Sequence, residues 1–146
     1  MIVCEIDPGV TTGYAEWDTD LHRLVVVQGV LIHVAMFSVL AQQRAGTLSH
    51  VVFEDARLHG RSDGWKGSEA RGRLMGAGSV RRDSAIWADF LAHAGIEAVP
   101  VSPRAKGAKY DAAQFQRISG WTGKTNEHGR DAGALCIHTK PKRREQ

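Results

Sequence analysis

Apolar positions in this chain follow two rhythms. Alternation, or short apolar runs bounded by turn residues, predicts strands at 2–7, 13–17, 23–31, 51–54 and 96–101. Recurrence every three or four positions predicts helices. Val34, Phe37, Leu40 and Ala41 form one, closed by Gly46; Val80, Ser84, Trp87, Leu91 and Ala94 form a second, closed by Gly95. Ala112, Phe115 and Ile118 make a short third face before Gly120, and a fourth helix is predicted from Asn126, a good N-cap, to His138. Asp18-Thr19-Asp20 reads as the turn joining the second and third strands, so its acids are turn formers before they are ligands. The order βββαβαβαα predicts an α/β layer architecture with a mixed sheet, in a single domain over residues 1–146.

Two of the predicted strands end in acid. Ile2 to Ile6 runs into Asp7, then Pro8-Gly9 turns the chain back; Val51-Val52-Phe53 runs into Glu54-Asp55. Strand alternation sends Glu54 and Asp55 to opposite faces, and Asp55 is expected to be the solvated one. A further acid, Asp131, sits near the start of the last helix, three residues after His128 and so on the same face. Oxygen donors of this kind suit Mg²⁺ or Mn²⁺. Two such ions can clamp the attacking and leaving oxygens of a phosphodiester. Each residue also has a plainer reading: an acid after a strand is often a cap, and a lone His is more often surface than ligand. The chain has no Walker loop and no Gly-x-Ser-x-Gly elbow. The Asp-x-Gly-x-Thr turn at Asp7 also occurs in actin-like ATPases, but those need two such domains around a cleft.

Charge is unevenly spread, which points to a polyanion. Residues 1–56 hold seven acids and two Lys/Arg, a balance of −5; residues 57–146 hold nine acids and seventeen Lys/Arg, a balance of +8. Residues 57–78 hold six of the sixteen glycines, with Arg57, Arg61, Lys66, Arg71, Arg73 and one large aromatic, Trp65. That composition predicts a mobile loop making phosphate contacts and base stacking. A solvated linker with a helix start near Gly67 is the plainer alternative. The tail 140–146 is basic too, and reads as a frayed end before a specific contact. Cys4 and Cys136 lie inside apolar patterns and are expected as buried free thiols. No apolar run approaches the ~20 residues of a membrane span, and no signal peptide is apparent, so the cytosol is the expected compartment.

Ile6-Asp7-Pro8-Gly9 with Thr12-Gly13-Tyr14-Ala15, then Val52-Phe53-Glu54, then His128-Gly129-Arg130-Asp131-Ala132-Gly133-Ala134-Leu135, together resemble a RuvC-type Holliday-junction resolvase, with some likeness to phage-borne members. The resemblance implies an RNase H-like fold with a five-stranded mixed sheet flanked by helices. It implies a homodimer, two Mg²⁺ per active site (Mn²⁺ substituting), and paired nicks across a four-way DNA junction. Asp7, Glu54 and Asp131 match the family's metal-binding acids. His128 stands where many members carry a fourth acid, as a ligand or as a group orienting the attacking water. Basic residues after the fifth strand are expected to hold DNA, and Arg104, Lys106 and Lys109 lie there. The loop after Glu54 matches the family's junction-probing loop, which makes Trp65 a stacking candidate. The alternatives are a related nuclease for other branched DNA or RNA–DNA hybrids, and a non-catalytic junction-binding module.

Overall fold

Strand β1 (Ile2–Asp7) lies at the middle of a five-stranded sheet. In this computed structural model, residues 1–58 and 68–139 are described, with side chains omitted over 68–75. On one side of β1, β2 (Thr11–Asp18) pairs with it antiparallel and β3 (Arg23–Leu31) pairs antiparallel with β2; on the other, β4 (Leu48–Glu54) pairs parallel with β1 and β5 (Ala98–Val101) parallel with β4. The spatial order is β3-β2-β1-β4-β5, a mixed sheet as expected. β1 is buried on both faces, which explains why its residues are apolar apart from Glu5 and the terminal Asp7.

Among the described residues, four helices cover the sheet: α1 (Ile32–Arg44), α2 (Ser68–His93), α3 (Ala112–Ser119) and α4 (Glu127–His138). Alternation along the strands divides the core in two. Cys4, Ile6, Tyr14, Val51 and Phe53 pack with Ala35 and Val39 of α1 and with Trp87 and Leu91 of α2. On the opposite face, Ala15, Leu24 and Val27 pack with Phe115 of α3 and with Ala132 and Cys136 of α4. The two cysteines therefore belong to separate cores, both free and buried, and burial pushes the Cys4 thiol up to about 12.

Three differences from the pattern-based reading have physical causes. α1 follows β3 with no intervening turn and no side-chain cap, so its first residues carried no start signal. Two one-turn helices, Ala56–Leu58 and Pro103–Lys106, are too short to show a period. The third is a correction to the expected loop over 57–78: the backbone is helical from Ser68 onward, as the plainer alternative of a helix start near Gly67 has it. Glu69, Ala70, Arg71, Arg73, Leu74 and Met75 are strong helix formers, and they outweigh Gly72, Gly76 and Gly78 at about 1 kcal/mol each. Arg61, Trp65 and Lys66, and the tail 140–146, lie outside the described residues.

α4 packs closely on β2 and β3. A Cβ on Gly13 would collide with the carbonyl oxygen of His128, and one on Gly129 would meet the backbone of Gln28 at 2.9 Å. These two glycines let helix and sheet touch backbone to backbone, which sets the height of Asp131 above the strand ends.

Candidate metal centre

β1 and β4 are parallel neighbours, with Ile6 opposite Phe53. The next residue on each strand is therefore at the same level, and those residues are Asp7 and Glu54. Ile6 and Phe53 face the α1/α2 core, so alternation turns both carboxylates toward α4. α4 begins at Asn126, whose side chain accepts a 2.8 Å hydrogen bond from the Gly129 N–H. One turn on, Asp131 points down at the same sheet edge. All three acids are buried.

They converge on an amine. Lys106 Nζ lies 2.7 Å from Glu54 Oε2, 3.3 Å from Asp7 Oδ1 and 3.6 Å from Asp131 Oδ2. Its side chain is 16% exposed. Glu54 Oε2 has no well-directed hydrogen bond, so its compensation is the direct charge contact with this ammonium. Lys106 ends the one-turn helix Pro103–Lys106, which is fixed at both ends. Ser102 Oγ accepts from the Arg104 N–H at 3.4 Å, and Gly107 (φ 71°) donates to the Arg104 carbonyl at 3.3 Å. Lys109 Nζ, far more exposed, stands 3.7 Å from Asp131 Oδ2.

The electrostatics follow from burial and crowding. Burial, joined by the negative charges of Glu54 and Asp131, pushes the Asp7 carboxyl up to about 6 against the opposing pull of Lys106. Burial also works against the charged Lys106 amine, but Asp7, Glu54 and Asp131 outweigh it and hold it above the ordinary lysine value. Two residues below Asp7, Glu5 is buried on the same face. Burial raises its carboxyl well above the ordinary range, against the smaller opposing effect of the Cys136 thiol.

The cluster brings together three of the four residues singled out from the sequence. His128 stands apart: its ring is 38% exposed, and Nε2 lies 3.7 Å from Glu127 Oε1. Among the described residues, no group of three or more His, Cys, Asp or Glu side chains is gathered closely enough to hold an ion as it stands. The acids instead share one ammonium, a stand-in cation. Three oxygen-donor carboxylates focused on a single positive point are the donor set that Mg²⁺ or Mn²⁺ takes.

Several expectations need correction. Asp55 is not solvated: it is 4% exposed, because the alternation that frees it from Glu54's face carries it into the sheet's other side. Arg57 is not a free cation for phosphate. Its Nε and Nη2 donate to the two Asp55 oxygens at 2.9 and 2.8 Å, a bidentate pair that lowers the Asp55 carboxyl. Lys106 points inward at the acids rather than outward at DNA. Arg104 and Lys109 remain exposed beside the cluster. The inward lysine was the feature that sequence reading placed in the wrong role. Its signal was there in hindsight: a lysine held by a Ser-Pro start and a Gly end, directly after a strand parallel to the two that carry the acids.

Two open grooves of about 490 and 290 Å³ share Trp121 and hold none of the three acids. The strand-end acids carry the chemistry, because cation chemistry needs focused charge rather than an apolar hollow.

No family model and no curated protein matches this chain. Among solved structures, it is similar to Thermus thermophilus RuvC in complex with a Holliday junction substrate, at TM-score 0.56 and 18% identity. That match covers 94% of this chain and 91% of the other. The likeness bears out the RNase H-like α/β fold.

Proposed function

We propose that this chain is a divalent-metal-dependent endonuclease that resolves four-way DNA junctions by paired nicks, acting as a homodimer. The observation that carries the reading is the convergence of Asp7, Glu54 and Asp131 on one cation at the ends of two parallel strands. The fold that places them there is similar to that of a RuvC protein seen with a Holliday junction.

Asp7 on the central strand, Glu54 and Asp131 would together hold two Mg²⁺ or Mn²⁺ ions. Such ions, when bound, lower the pKa of water and stabilise charge on the phosphate oxygens. The chain's own residues supply the rest. β1 and β4 hold two carboxylates at one level, so the ion-binding oxygens need little rearrangement along the strand axis. α4 holds the third from above. His128, half-exposed one turn before Asp131, would join as a ligand or orient the attacking water. The product would carry a 5′-phosphate. Arg104 and Lys109 lie exposed beside the acids and would hold backbone phosphates. Arg61, Lys66, Arg71 and Arg73 would extend that contact, with Trp65 stacking on an opened base at the junction centre.

The test is cleavage of a synthetic four-way junction against a matched linear duplex, with Mg²⁺ and with EDTA, by wild type and Asp7→Asn. The reading expects symmetric nicks in the junction, with Mg²⁺ only. Asp7→Asn should bind the junction and leave it intact. Cleavage in EDTA, or full cleavage by Asp7→Asn, would overturn it.

A further inference from the structure

We propose that Lys106 is a built-in competitor of the divalent ion. Its ammonium holds Asp7, Glu54 and Asp131 together in the metal-free protein and must leave the cluster before an ion can be held by all three. This rests on the reading that those acids bind a divalent cation, and adds what opposes that binding.

The geometry carries the inference in three steps. First, the ammonium is within 3.6 Å of every one of the three carboxylates, so it stands at the point where their oxygens focus. A divalent ion drawing on the same oxygens meets a positive charge at contact distance. Second, the acids need this amine. They are buried like-charged groups, and Glu54 Oε2 has no well-directed hydrogen bond besides. Without a cation, the cluster would spread or take up protons. Third, the backbone under Lys106 is anchored by its own caps, independently of the ion pairs that hold the side chain. The turn Pro103–Lys106 is capped by Ser102 and Gly107, and a Cβ at Gly107 would stand 3.2 Å from the His138 imidazole of α4. Departure of the amine is therefore rotation of a long, flexible side chain, with the turn and α4 left in place. Lys109 Nζ already stands 3.7 Å from Asp131 on the solvent side, so the route outward passes a second positive charge.

The device has a direct consequence. The protein is held folded and closed by its own cation when ions are scarce. It takes up a divalent ion only above the concentration at which that ion out-competes a tethered ammonium. The neutral near-isostere Lys106→Met removes the competitor. Lys106→Arg keeps the charge.

Mn²⁺ binding followed by electron paramagnetic resonance, with no DNA present, reads this directly. Lys106→Met should bind Mn²⁺ about tenfold more tightly than wild type, since a like charge at contact distance is gone. Its melting temperature in EDTA should fall, and its stabilisation by Mn²⁺ should grow. Lys106→Arg should bind Mn²⁺ no more tightly than wild type. A second measurement uses wild type alone, and so survives a poorly folding variant. Lys106 acylation by an N-hydroxysuccinimide ester, read by peptide mass, should be slow in EDTA and faster in saturating Mn²⁺. Equal or weaker Mn²⁺ binding by folded Lys106→Met, or Lys106 acylation unchanged or slowed by Mn²⁺, would overturn the proposal while leaving the metal-centre reading in place. Absence of Mn²⁺ binding by wild type at millimolar concentration would overturn both.

Discussion

Gly13 of β2 lies directly beneath the main-chain carbonyl of His128, with no room for a side chain between them. The same position would bring an added Cβ to 3.0 Å from Asp7 Cβ. Gly13 thus touches both halves of the candidate centre: the strand that carries Asp7 and the helix that carries Asp131. Gly13→Ala should lift α4 and cost about 1–3 kcal/mol of stability through overpacking. Because the acids must meet on one point, junction cleavage should fall more steeply than stability does. Urea unfolding and Mg²⁺-dependent nicking measured on one preparation check this. Wild-type cleavage by Gly13→Ala would show that α4's height does not position Asp131.

Arg57 separates a structural cation from a DNA-binding one. Its fork grips a carboxylate that is almost wholly out of water. Arg57→Ala strands much of that charge, so stability should drop by about 1–3 kcal/mol. The backbone N–H of residue 57 also donates to Asp55 Oδ1, at 3.0 Å, and limits the loss. Junction affinity should keep its wild-type salt dependence. A flattened salt slope with unchanged stability would return Arg57 to the phosphate contacts.

Arg71 and Arg73 should behave in the opposite way. Both lie on the early part of α2. If each neutralises a phosphate, Arg71→Ala plus Arg73→Ala should reduce the slope of log affinity against log salt by about 2 and leave the melting temperature near wild type. An unchanged slope would make them ordinary surface charges.

What was legible in the sequence was whatever repeats along the chain or ends abruptly. β1 and β4 announced themselves because each is an apolar run stopped by acid, and their parallel pairing put Asp7 and Glu54 at one level. α4 was legible from Asn126 onward because cap and period agree. Asp55 was misjudged because alternation says only that it leaves Glu54's face. It cannot say that the other face is also covered, and Arg57 arriving two residues later is invisible to a period-2 argument. Lys106 was misjudged for a related reason. Ninety-nine residues separate it from Asp7, and a basic residue after the last strand reads as surface charge unless the turn that aims it is known. The start of α2 was legible only as the alternative near Gly67, because glycines count against a helix locally though the formers around them win.

Asp7 should trade stability for its role, and the trade should depend on pH. Its carboxyl is pushed from the ordinary 3.8 up to about 6, first by burial and then by Glu54 and Asp131. Folding therefore favours the protonated form. Below pH 4 the acid is neutral in both states and there is no penalty. Between pH 4 and 6 the folded protein progressively loses stability relative to the unfolded chain. Above pH 6 the whole penalty, about 1–3 kcal/mol, is present. Asn has the shape of the neutral acid and no charge to desolvate. In EDTA, Asp7→Asn should be more stable than wild type at pH 7.5 and no more stable at pH 3.5. Loss of one of Lys106's three partners trims the gain without reversing it. Saturating Mn²⁺ should narrow or invert the difference at pH 7.5, since the ion stabilises the form that binds it. Urea titrations at the two pH values, with and without Mn²⁺, give all four numbers. If Asp7→Asn is less stable than wild type at pH 7.5 in EDTA, the Asp7–Lys106 attraction outweighs burial, and Asp7 is a structural ion-pair partner rather than a strained acid waiting for a metal.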